Sequence, residues 1–144
     1  MRFVRGLCAG SAAFVATIAV AGVSVAQDPT TEVTASSEHR ATKGRVLCDV
    51  EIEAHGGRIA WADVLVVAAP KFAPPLRSRV GMSDARSRSD ERVRIPVAFV
   101  ATEQAKGTVT LRGRAVVCAA APVKCIPASG EVTTDLVVGP DVER

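Results

Sequence analysis

The chain has 144 residues, 48% of them hydrophobic but only 3% aromatic and none of them tyrosine; this bounds it to one modest core and excludes an aromatic platform for sugars or single-stranded nucleic acid. Two of the 18 Lys and Arg residues, Arg2 and Arg5, precede Ala26 while all 15 Asp and Glu residues follow it, so the part beyond Ala26 sets sixteen basic against fifteen acidic groups, a formal charge of +1. That balance leaves no electrostatic footprint for nucleic acid. The arginine-rich stretch Arg77 to Arg94 is interleaved with Asp84, Asp90 and Glu91 and reads as a solvated surface.

The opening segment has a positive flank at Arg2 and Arg5, an apolar run from Leu7 to Val23 and the small-residue triplet Ser24-Val25-Ala26. This pattern predicts a secretory signal peptide over residues 1–26, cut after Ala26, and hence a periplasmic or secreted domain with no membrane span after cleavage. Cys8 lies at the start of the apolar run, where a lipoprotein cysteine would follow it. The next stretch, 27–43, is QDPTTEVTASSEHRATK, rich in Thr, Ser and Glu with almost no large apolar side chain. It reads as a flexible linker, because so little buried surface does not offset the entropy of ordering it.

From residue 44 the pattern changes. Arg45 to Glu53 alternates, with Val46, Cys48, Val50 and Ile52 on one face and Arg45, Asp49 and Glu51 on the other, which predicts a half-buried strand. His55-Gly56-Gly57 supplies a turn and Arg58 to Ala69 a second β-branched stretch, in which Trp61 is expected in the core. Pro70, Pro74 and Pro75 break regular structure, and Ser78 to Arg92 has no period and reads as a loop. Arg92 to Val100 alternates again through Val93, Ile95, Val97 and Phe99, with Pro96 confining it to an edge or a bulge. Gly107 to Cys118 and Glu131 to Val138 complete the set, placing Val109, Leu111 and Leu136 on the core side. Short strands separated by turns, with no helical pattern and no repeat, predict an all-β fold, an antiparallel immunoglobulin-like sandwich over 44–139, with 140–144 as a tail.

Three cysteines lie beyond Ala26. Cys48 falls on a core face, where a lone cysteine behaves as a small hydrophobe; partnership with another cysteine and an exposed reactive thiol are the alternatives. Cys118 ends a strand, Cys125 precedes Ile126-Pro127, and the segment between them bends the chain back so that the two thiols can meet. A bridge there stabilises by roughly 2–3 kcal/mol in the chain-entropy picture, so a purely structural staple is a complete explanation. Access at a strand end, and Lys124 beside Cys125, suit thiol exchange as well.

The segment GTVTLRGRAVVCAAAPVKCIPASGEVTTDLVV, preceded by RVRIPVAFV, resembles the carboxy-terminal part of the amino-terminal domain of DsbD-type thiol:disulfide interchange proteins. The resemblance implies an immunoglobulin-like sandwich in which Cys118 and Cys125 are the catalytic redox pair, with Cys125 the site of attack, and a partner that is a thioredoxin-like protein or a membrane reductase. Two departures are plain: an aromatic cap over the pair is reduced to Phe72, and the loop between the cysteines is one residue longer than in the best-known members. The alternative reading is a secreted binding or structural module stapled by the same disulfide. His39 and His55 are the only histidines, and no hydrolase, P-loop or dinucleotide motif is present, so no metal and no cofactor is expected.

Overall fold

The structure is a computed structural model and describes residues 28–37, 43–120 and 123–139. The predicted leader, its cleavage point and the tail 140–144 lie outside the described residues. Among the described residues eight strands and one 3-10 turn follow in chain order: β1 Thr30–Ser37, β2 Gly44–His55, β3 Arg58–Ala68, β4 Arg79–Gly81, the 3-10 turn at Met82–Asp84, β5 Ser87–Arg88, β6 Arg92–Ala101, β7 Ala105–Ala120 and β8 Val123–Val138. They form two four-stranded antiparallel sheets, β1-β2-β6-β5 and β4-β3-β7-β8. The strands occupy the places of A-B-E-D in one immunoglobulin sheet and of C′-C-F-G in the other, so the all-β, immunoglobulin-like sandwich read from the sequence is the fold.

Period-two alternation builds the core. Val46, Cys48, Val50 and Ile52 of β2 face Val109, Leu111 and Val117 of β7 across the sandwich, joined by Val93, Ile95, Val97 and Phe99 of β6 and Leu136 of β8, all at most 1% exposed. The residues of β2, β6, β7 and β8 assigned to the core by alternation are all there. The edge or bulge expected at Pro96 is not found: β6 runs between β2 and β5 in unbroken register with β2, and Pro96 is accommodated because β5 pairs only with Val93 and Arg94 and stops short of it. Arg94 and Ala98 offer their carbonyls, and Val100 its N–H, to the outer side of β6, where Arg86, Leu76 and Pro74 meet them. By the same parity, the missing N–H of Pro96 faces the gap between those contacts, so no ladder bond is lost.

Three further expectations need correction. First, the segment read as a linker contains β1, which pairs with β2 along all eight residues, from Thr30 opposite His55 to Ser37 opposite Cys48. The strand needs little apolar surface of its own because β2 satisfies its backbone and Val33 and Ala35 pack onto the existing core. Gly113 and Gly130 make the seat: a Cβ at either would come within 3.0 Å of the Val33 side chain or closer. Ser37 also hydrogen-bonds through Oγ to the carbonyl of Asp135 on β8.

Second, Trp61 is not in the core but 39% exposed. Alternation counted from Ile59 would turn it inward, yet the register of β3 against β7 shifts between Ile59 and Trp61. This bulge leaves Ala60 and Trp61 both outside and brings Ala62 and Val64 in. Third, Ser78 to Arg92 is not structureless. It holds three short elements, and two arginines beside them are tied to the outer face of β2: Arg86, just before β5, to Asp49 at 3.4 Å, and Arg92, the first residue of β6, to Glu51 and Glu53 at 3.3 and 3.2 Å.

Candidate functional site

β7 and β8 run unbroken through both cysteines, so the cysteine-to-cysteine loop of the sequence reading is instead the closed end of a long hairpin. Cys118 and Cys125 are direct register partners, Cα atoms 4.0 Å apart, and are joined as a disulfide. Alternation fixes the side they occupy. Val117 and its partner Ile126 point toward the sandwich, so the flanking cysteines stand on the outer face of the β4-β3-β7-β8 sheet. Cys125 is exposed and Cys118 half-buried. Beyond them Val123, at the hairpin end, is 82% exposed.

The cation at the bridge is not the one adjacent in sequence. Lys124 alternates to the other face of β8 and pairs with Asp28 at 3.0 Å, holding the start of β1 against the hairpin. Arg58 takes that place, because β3 sets it directly opposite Cys118. Arg58 and Cys118 line a groove of about 660 Å³ together with Gly56, Gly57, Asp90 and Glu91. The groove is held in shape by the backbone: Glu91 accepts from the N–H of Ala54 and Asp90 from that of Ile59, both at 2.7 Å, pinning the β5–β6 turn onto the β2–β3 turn. Gly57 is required there, since a Cβ would lie 2.7 Å from Val117 and 3.1 Å from the carbonyl of Cys118. No signal in the sequence marks Arg58, because its nearness to Cys118 comes from strand register across 60 residues of chain.

Cys48, the third cysteine, is unpaired and fully buried, and burial first, then the negative charge of Asp49, pushes its thiol up to about 12. It has neither the access nor the ionisation for exchange. His55 lies 3.9 Å from carboxylate oxygens of both Glu32 and Glu53, an exposed arrangement at the end of β2. Among the described residues no group of three or more His, Cys, Asp or Glu side chains is placed to hold a metal ion.

Phe72 is buried at 8% exposure and packs over Gly107, at the opposite end of the sheet from the disulfide, so it does not cap the pair. Among the described residues no helix is long and apolar enough to cross a membrane. No family model and no curated protein matches the chain. Among solved structures, AggA, the major subunit of aggregative adherence fimbriae type I from Escherichia coli, is similar at 8% identity with a TM-score of 0.43, the match covering 79% of this chain and 97% of that one.

Proposed function

We propose that the chain is an exported thiol:disulfide exchange module, related to the amino-terminal domains of DsbD-type proteins, with the Cys118–Cys125 bridge as its working group. The observation that carries this reading is the placement of the bridge: on the outer face at a hairpin end, with Cys125 exposed and a groove beginning at Cys118. Exchange needs an attacking thiolate to reach one sulfur in line with the bond, and a bridge inside the sandwich would forbid that.

The step balances as follows. A thiolate of a dithiol donor, a thioredoxin-like protein or a membrane reductase, attacks Sγ of Cys125; the new mixed disulfide forms as the Sγ–Sγ bond breaks and Cys118 leaves as a thiolate. The donor's second thiolate then attacks its own sulfur in the mixed disulfide and releases Cys125. Two electrons have entered the module, and the donor has become a disulfide. The reduced pair passes them to an oxidised partner by the reverse sequence. Arg58, opposite Cys118, favours the departing thiolate by its charge.

The structural-staple reading draws on a different observation, that the cysteines are register partners closing a long hairpin. Trapping separates the two. A thioredoxin-like protein whose resolving cysteine is replaced by serine is expected to accumulate as a mixed disulfide on Cys125 of the oxidised chain. No adduct, or an adduct on Cys118 alone, overturns the proposed direction of attack.

A further inference from the structure

Four residues along β7 from Cys118, on the same outer face, lies a cluster that thiol exchange does not employ. Asp63 on β3 stands opposite Arg114 on β7, and its side chain is 1% exposed although it points away from the core. Arg114 donates from Nε to Oδ1 at 2.8 Å and from Nη2 to Oδ2. Arg79 on β4 donates from Nε to Oδ2 at 2.7 Å. Both guanidinium groups lie over the Trp61 ring, at 5.6 Å for Arg114 and 6.0 Å for Arg79. Beside the ring runs a cleft of about 470 Å³ lined by Trp61, Val116 and Pro127 together with Arg114 and Ser129.

Stability alone does not account for this set. Arg114 occupies both oxygens of Asp63, so the carboxylate is satisfied without Arg79. Arg79 commits its Nε to Asp63, its two terminal nitrogens meet no other acceptor among the described residues, and its side chain is 59% exposed. A tryptophan on the solvent side of a sheet gains little for the fold, while an aromatic wall with a fixed cation beside it is the composition of recognition surfaces. With two guanidinium groups around one carboxylate, the cluster keeps one positive charge in excess, locked in orientation by the stack and the buried anion.

We infer that this cluster is a binding site for a carboxylate carried on an extended peptide segment of a partner protein. The carboxylate docks on the outward edge of the Arg79 guanidinium, and a neighbouring apolar side chain lies in the Trp61–Val116–Pro127 cleft. The site stands whether or not the disulfide exchanges.

Trp61 is the sole tryptophan and the chain has no tyrosine, so intrinsic fluorescence of the full chain reports the site directly. The probes are N-acetyl-Gly-Gly-Leu-Leu with a free terminal carboxylate, the same peptide amidated, an amidated peptide with Glu before the final Leu, and acetate. A saturable change is expected with one or both carboxylate peptides, with affinity at least tenfold weaker for the amidated all-apolar peptide and for acetate. The tighter of the two carboxylate peptides identifies a chain terminus or an acidic side chain as the natural source. Arg79→Gln, which leaves Asp63 bonded to Arg114, is expected to weaken peptide binding at least fivefold with the circular dichroism unchanged. No change with any peptide, equal response to the amidated all-apolar peptide, acetate binding as tightly as the peptides, or an unaffected Arg79→Gln chain each overturns the site. Repeating the titration with Cys118 and Cys125 both replaced by serine separates this result from the redox reading: binding is expected to persist there.

Discussion

Asp63→Asn tests the electrostatic logic of the outer face most sharply, since it changes charge with almost no change in shape. The carboxylate is 1% exposed and accepts three hydrogen bonds from two guanidinium groups. An asparagine keeps one acceptor oxygen but turns an NH2 group toward the same donors. Removing one partner of a fully buried ion pair costs about 3–5 kcal/mol. Here the guanidinium side chains are 59% and 37% exposed and regain water, so the expected cost is lower, about 2–3 kcal/mol. For a domain of this size that is roughly 8–12 °C in melting temperature.

The pH dependence adds a second signature. Burial by itself raises the Asp63 carboxyl, but hydrogen bonds and charge from Arg114, then Arg79, outweigh it and hold the group below the usual carboxylate range. A depressed folded value means that the unfolded chain takes up the proton first as pH falls through about 3.9. The contribution is therefore complete above that pH and is lost on acidification toward the folded value. Urea unfolding of the two proteins, followed by far-ultraviolet circular dichroism, is expected to show the full difference at pH 7 and a shrinking one below about pH 4. A variant within 0.5 kcal/mol of the parent at pH 7, or a difference constant down to pH 3, refutes the reasoning.

Phe99→Ala removes the largest fully buried side chain and is expected to cost about 3–5 kcal/mol in the same unfolding measurement. Gly130→Ala places a Cβ 2.9 Å from Val33 and is expected to loosen β1; adding Val33→Ala, which clears that space, should recover most of the loss. Without such recovery in a double-mutant cycle, β1 is not seated as described. In a Cys8→Ser background, Cys48 is expected to resist thiol labelling at pH 8 in the native, oxidised chain and to react only on unfolding, because it is both buried and held protonated.

Much of the architecture was legible because alternation is a direct record of which side of a sheet is wet. Val46, Val50, Ile52, Val97 and Phe99 fall on the core side by counting alone, and all are buried. Counting fails where the backbone inserts a residue. The bulge before Trp61 costs the sequence one unit of phase, and the most conspicuous side chain in the chain moves from an expected core to the surface. Composition misleads at β1 for another reason: Thr30 to Ser37 is poor in apolar residues, but a strand added to a sheet is supported by its neighbour's ladder and by glycine gaps 80 or more residues away.

The cysteine pairing was legible from the short separation of Cys118 and Cys125, whereas their surroundings were not. Lys124 is adjacent in sequence and faces away, while Arg58, distant in sequence, is opposite in register. Strand order decides such neighbours, and it is not written locally. The same holds for Asp63, whose two arginines come from β4 and β7 and whose burial on a solvent-facing side follows from them.

The reduction potential of the Cys118–Cys125 bridge tests the central claim most directly. Structural disulfides of exported proteins lie below about −300 mV, and transferable ones lie above it. Equilibrating the chain in graded dithiothreitol and glutathione buffers, followed by alkylation and mass determination of the bridged peptide, gives the midpoint. A midpoint above about −300 mV is the predicted result; a bridge still oxidised in buffers more reducing than that contradicts the exchange function and leaves Cys118 and Cys125 as a staple.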